Sequence, residues 1–213
     1  FKVYYDKGKE LKEKMLFWKR NRYENRVVLD DVSFTIKRGE AVGLVGKNGC
    51  GKSTTLKMLT RIIYPDSGSI TMHGRVSSLI ELGAGFHPDM TGRENIYTNA
   101  SMYMRLAFSV AINVDADILL VDEILAVGDA NFQTKCFNKI REIKGQGTTI
   151  VIVSHSLGQI EQICDRSIWI KDGRIEKEGD PKSVHLEYLD YMNNERMDEE
   201  ERARVKQQRI ESG

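Results

Sequence analysis

Five short apolar runs, each closing on Gly, Ser, His or an acidic residue, set the strongest limit on how this chain can fold: EAVGLVG (40–46), SSLIELG (77–83), DILLVDE (117–123), TTIVIVSH (148–155) and SIWIKDG (167–173). None is long, and most lack the in-and-out alternation of a strand with one wet face. Runs apolar on both sides suit strands covered by helices on both faces, the signature of a parallel sheet. Helical stretches lie between them. Lys52 to Arg61 follows the first run, Thr91-Gly-Arg-Glu94 has capping-box spacing, and Asn131 to Lys144 places Phe132, Cys136, Phe137 and Ile140 at helical intervals. This order predicts a doubly wound α/β domain. Lys171-Asp172-Gly173-Arg174 reads as a tight hairpin turn, so the sheet is expected to be mixed and mainly parallel.

A length of 213 residues allows one such domain with an appendage, divided here as residues 1–26, a core over 27–180 and an extension over 181–213. No apolar run approaches the length that crosses a bilayer, so any membrane role is expected to come through a partner chain. A net charge of +1 gives no general reason to expect a nucleic-acid partner. No signal peptide is visible, although the sequence does not begin with Met. Cys50, Cys136 and Cys164 are odd in number, widely spaced and set in apolar or Gly-rich segments, which reads as reduced thiols in a cytosolic protein. Residues 7–26 hold eight Lys or Arg against three Glu, with Leu11, Met15, Leu16 and Trp18 roughly on one helical face. That stretch is either a surface for a membrane or acidic partner, or a solvated helix with a thin apolar stripe. From Asn193 onward, acidic and basic residues four apart predict an exposed helix supported by ion pairs, with no chemistry assigned to it.

The chemistry concentrates at the ends of three runs. Gly46-Lys47-Asn48-Gly49-Cys50-Gly51-Lys52-Ser53, followed by Thr54, fits a phosphate-binding loop between a strand and a helix. Glycines let successive N–H groups turn toward phosphate oxygens, and the helix adds its positive end. Lys52 is the candidate for the β and γ phosphates, Ser53 for Mg²⁺. Cys50 is either a redox-sensitive thiol near Lys52 or a small filler. The strand 118–121 ends in Asp122-Glu123; beside a phosphate loop, the first carboxylate suits the metal and the second suits the attacking water. His155 lies just past another strand, where open α/β sheets bind ligands.

Together these residues resemble the ATP-binding subunit of an ATP-binding cassette (ABC) transporter, over about residues 27 to 180. The resemblance implies a P-loop NTPase cassette fold, ATP and Mg²⁺ as cofactors, and Asp129 and His155 as the D-loop aspartate and switch histidine. The stretches Asp122–Asp129 and Glu81–Asn95, with the basic segment before VLDDVSF, resemble the branch that exports polysaccharides, O-antigens and teichoic acids. That implies a homodimer of ATPase subunits, separate transmembrane permease subunits, and a lipid-linked glycan handled by the complex, on the cytoplasmic face of the cell membrane. Glu81 stands where the family usually has a glutamine near the metal, and an adenine-stacking aromatic is implied near the first strand, with Tyr4 ahead of Phe1 and Tyr5.

One departure is larger. The family carries a helical subdomain and a Ser-Gly-containing signature motif before the second acidic strand, and here only Ser101 stands before MYMRLAF. A segment is therefore expected to be missing between about Ala100 and Met102, with Thr91–Tyr97 leading out of the core and Met102, Leu106 and Val110 leading back. Two other readings stay open. A soluble ABC-type ATPase acting on DNA or ribosomes would carry a coiled-coil insertion or fused cassettes, and a phosphate-loop kinase would need an acceptor lid.

Overall fold

In the computed structural model, residues 2–3, 24–25, 27–79, 116–122 and 129–211 are described, with side chains described between residues 27 and 197. Tyr4, the basic segment through residue 23, Glu81, the Thr91 capping box, the Ser101–Met102 junction and Glu123 lie outside them.

The strands are β1 (Lys2–Val3), β2 (Glu24–Asn25), β3 (Ala41–Val45), β4 (Val76–Leu79), β5 (Ile118–Asp122), β6 (Thr149–Val153), β7 (Arg166–Lys171) and β8 (Arg174–Gly179). The helices are α1 (Lys52–Leu59), α2 (Ala130–Gly145), α3 (Leu157–Ile163) and α4 (Pro181–Glu211). β1 and β2 pair antiparallel by themselves. The other strands form one sheet in the order β4-β5-β6-β3-β7-β8, parallel except for the β7–β8 hairpin. The apolar runs and the Lys171–Arg174 turn thus give the mixed, mainly parallel sheet their sequence implies.

Alternation within the runs sorts side chains between two cores. Ala41, Val45, Leu119, Val121, Ile150, Ile152 and Trp169 meet Cys136 and Ile140 of α2, Ile160 and Ile163 of α3, and Val184 of α4. Val42, Leu44, Leu120, Val151, Val153, Ile168 and Ile170 meet Leu56 of α1 and the segment carrying Leu29, Phe34 and Ile36. Burying each Val, Leu or Ile among them contributes about 1.5–3 kcal/mol, and both faces are needed to bury them all. The helices end for local reasons. Arg61 turns left-handed (φ 59°) just past α1, and Gly147 does so (φ 88°) just past α2. At the start of α2, Asp129 accepts a hydrogen bond from the Phe132 amide at 2.9 Å, so the residue expected as a D-loop aspartate is also a helix cap.

Candidate functional site

The strand order sets β5, β6 and β3 side by side and parallel, so the residues just past their carboxyl ends meet along one sheet edge. Asp122 ends β5 opposite Val153 of β6, and Val153 is followed by Ser154 and His155. On the other side, Leu44 of β3 is level with Val153, and the glycine loop starts two residues later. Asp122 is half-buried at the strand end, whereas His155 is exposed.

Two glycines of the loop are dictated by contact as well as by backbone. At Gly46 (φ 146°) a Cβ would stand 2.2 Å from the Ile170 carbonyl oxygen and 2.7 Å from Cys50 Sγ. At Gly51 (φ 114°), a Cβ would stand 2.4 Å from Leu29 Cδ2. At Gly46 any side chain would push the loop off the β7 backbone, and at Gly51, where Leu29 could give way, the left-handed backbone itself asks for glycine. Gly51 also opens α1, whose first turn holds no acidic residue and no side-chain cap. Its free N–H groups and partial positive charge remain available to an anion.

Lys52 is 6% exposed, and its ammonium donates to the carbonyl oxygens of Gly46 (2.7 Å) and Lys47 (2.8 Å). Both partners are neutral. Among the described residues Lys52 has no carboxylate partner, and a buried cation held by carbonyls is one that an incoming phosphate could satisfy. Thr55 steadies the turn from behind, its hydroxyl donating to the Gly51 carbonyl at 2.9 Å. Ser53 and Thr54 are half-buried in the first turn of α1, and Asn48 and Gly49 are exposed at the loop tip. Cys50 is buried; burial pushes its thiol above the ordinary value, more than the Lys52 ammonium draws it down. A protonated, enclosed thiol fits the filler reading.

The donor set fits a nucleotide with its metal. The loop is a cradle that a Cβ would fill, and Ser53 with Asp122 supplies the oxygen donors that Mg²⁺ takes. The structure brings together Gly46 to Thr54, Asp122 and His155, places Asp129 at the cap of α2, and does not describe Glu123, Glu81 or Tyr4.

Sequence reasoning missed a second wall. Tyr188 and Met192 of α4 share a cleft of about 400 Å³ with Gly46, Lys47, Asn48 and His155. Tyr191 joins Trp169, Lys171 and Lys47 around a second, smaller one. Glu195 is ion-paired with Lys47. The available signal was the spacing Val184, Tyr188, Tyr191, Glu195, one helical face hidden by the charged residues around it.

Comparison with known proteins places the chain. The family model described as "ABC transporter" matches residues 29–82. The O-antigen export system ATP-binding protein RfbB of Klebsiella pneumoniae is 42% identical over 194 residues, covering 74% of this chain and 79% of that protein. The chain belongs to the ABC transporter ATP-binding family. RfbB of Myxococcus xanthus is 41% identical over 83% of the chain, which spans half (50%) of that longer protein. The teichoic acids export ATP-binding protein TagH of Listeria innocua is 34% identical, over 90% of the chain and 68% of its own length. Among solved structures, the dimeric post-hydrolysis state of the ATP-binding cassette MJ0796 bound to ADP and Pi shares the fold, with TM-score 0.63, 17% identity, and coverage of 78% of this chain and 94% of that one.

The alignments of this ABC protein are longer than its share of them. The Klebsiella alignment runs over 194 positions on 74% of the chain, about 158 of 213 residues, leaving about 36 positions that face no residue here. The Listeria alignment, 228 positions on 90% of the chain or about 192 residues, leaves the same surplus.

Proposed function

We propose that this chain is the ATP-binding and hydrolysing subunit of an exporter carrying a cell-surface polysaccharide of the O-antigen or teichoic-acid type across the cytoplasmic membrane. The observation that carries this reading is Lys52, buried inside a glycine cradle with only neutral carbonyl partners among the described residues, at the same sheet edge as Asp122 and His155. The 42% identity to an O-antigen export ATP-binding protein supports the cargo class.

In this reading the triphosphate lies along Gly46 to Thr54, and Lys52 exchanges the two loop carbonyls for β and γ oxygens. Ser53 and Asp122 hold Mg²⁺, with Glu81 as a further ligand, and the bound metal supplies charge stabilisation at the phosphates. Glu123 takes the proton of the attacking water, His155 faces the γ-phosphate, Asp129 orders the segment entering α2, and Tyr4 stacks on adenine. Two copies pair about the nucleotides and drive separate permease subunits, as the dimeric cassette neighbour supports. The basic segment 7–26 serves the membrane-facing surface, making the subunit peripheral; among the described residues no helix is long and apolar enough to cross a membrane.

The surplus of about 36 aligned positions supports a segment lost from within the aligned core, and the motifs flanking Ala100 and Met102 are what put it at that junction in this reading. Peptide mapping of the protein from its native source tests this, since a peptide continuous through Ser101–Met102 removes the idea. For the function itself, the test is purification from native membranes: a copurifying permease and ATP-dependent glycan export lost with Lys52→Ala are expected. Copurifying ribosomes or nucleic acid would instead favour the soluble ATPase.

A further inference from the structure

Helix α4 starts at the edge of the sheet and runs over the phosphate loop, and the two parts of this path are held differently. Near its start, Val184 and His185 are buried. The His185 ring bridges two other elements, with Nε2 3.1 Å from Ser167 Oγ on β7 and Nδ1 2.9 Å from Glu161 Oε1 on α3. That is an anchor inside the core. Further along the same face, the contacts become polar and half-exposed. The Tyr191 ring lies against Trp169, centroids 5.4 Å apart, with Lys171 Nζ 4.5 Å and Lys47 Nζ 5.5 Å from its centre. One turn later Glu195 takes Lys47 in an ion pair, the two side chains being 35% (Lys47) and 32% (Glu195) exposed.

Both lysines of the loop are thus occupied by oxygens of the protein: Lys52 by the loop's own carbonyls, Lys47 by a carboxylate 148 residues away in sequence. We propose that α4 is a strap on the nucleotide site, in which Glu195 holds Lys47 until a nucleoside triphosphate enters the loop and draws that lysine to its phosphates. This rests on the reading of Gly46–Ser53 as the ATP site. A polyphosphate outweighs a single carboxylate as a partner for Lys47, and it stands close enough to repel Glu195 through a half-buried cleft. Tyr188 and Met192 line the cleft that the nucleotide must share with Lys47, Asn48 and His155, so the strap yields from Tyr188 outward. The His185 anchor stays, because a bound phosphate touches neither Ser167 nor Glu161. The response depends on the β and γ phosphates, so AMP does not release it.

The test uses the full chain without Mg²⁺, so that nothing is hydrolysed. ATP and AMP are titrated into the parent, Glu195→Gln and Lys52→Ala, with hydrogen exchange followed along α4. ATP, and not AMP, is expected to speed exchange over residues 188–197 of the parent while 181–187 stay protected. Glu195→Gln is expected to bind ATP about two- to fivefold more tightly, the weight of a half-exposed ion pair, and to exchange rapidly over 188–197 without nucleotide. Equal ATP affinity in Glu195→Gln and parent, or protection over 188–197 that ATP does not move, overturns the strap. The phosphate-loop reading fails separately, by ATP binding to Lys52→Ala as tightly as to the parent.

Discussion

At the amino ends of the strands, charged groups close on one another. Arg166 donates from Nε to Glu40 and from Nη1 to Glu178, each at 2.9 Å. Lys144 donates to the Asp165 carboxylate and to the Ile163 carbonyl, both at 2.6 Å, and the other Asp165 oxygen accepts from the Ala41 amide at 2.9 Å. At the carboxyl ends, Lys52 also has two oxygen partners, yet neither carries charge. Two lysines, each with two short hydrogen bonds, therefore do different things. Lys144 is neutralised and ties α2 to the start of β7, whereas Lys52 is buried with only neutral partners among the described residues. What separates a stabilising edge from a binding edge here is the charge of the acceptor, more than the number of bonds.

The largest expected effect lies just past β5. Glu123→Gln should lower steady-state ATP turnover by at least about 10²-fold while leaving nucleotide affinity within about twofold, because the amide keeps the shape and cannot accept the water's proton. Undiminished turnover would take Glu123 out of the base role and weaken the contrast at its catalytic end.

Next come the two lysines exchanged for alanine. Lys52→Ala should lose about 10²-fold in ATP affinity, a typical cost of removing one partner of an enclosed charge pair, with no loss of thermal stability. Lys144→Ala should do the reverse, lowering the melting temperature at unchanged ATP affinity. If Lys52→Ala melts earlier than the parent, its cation is part of the fold and the distinction between the edges collapses.

Arg166→Ala sharpens the same contrast at a smaller scale. Glu40 sits half-buried beneath the guanidinium, and losing its charged partner should cost about 1–3 kcal/mol of unfolding free energy. Chemical denaturation measures it, and ATP affinity should not move.

How far these edges could be read in advance depends on what organises each. β3, β5, β6 and β7 were legible because residues such as Leu44, Val121 and Ile168 are buried whichever way they point, and the phosphate loop because glycines at 46, 49 and 51 have few other uses together. The order of the strands, which puts Asp122 and His155 beside that loop, comes from pairings across the whole chain that no local pattern encodes. α4 was half-legible. Its charged stretch reads as a solvated helix from Asn193, and the helix does run there, but it starts at Pro181 and lays Tyr188, Tyr191 and Glu195 on the loop. A glutamate among many charges gives no sign of which one faces a distant lysine. The acid network at the amino ends was invisible for the same reason, since Glu40, Asp165 and Arg166 meet only once β3 and β7 are paired.

The smallest effect concerns pH and belongs wholly to the amino edge. Burial by itself would raise the Asp165 carboxyl, but the hydrogen bond and charge of Lys144, together with the Ala41 amide, outweigh it and hold the group below its usual 3.8. A carboxyl lowered in the folded state binds its proton more readily when unfolded, so it adds stability above the unfolded value and loses it as pH falls through the folded one. The side chain is 48% exposed, so solvent screening keeps the contribution below about 1 kcal/mol. Asp165→Asn should therefore be slightly less stable than the parent near neutral pH, and the gap should close below about pH 4 as the parent's own carboxyl is protonated. Urea denaturation of both proteins across that range measures the gap. A difference that stays constant with pH would mean that Asp165 acts through shape and its Ala41 hydrogen bond alone, and that charge neutralisation of Lys144 is not what distinguishes this edge from the one that holds Lys52.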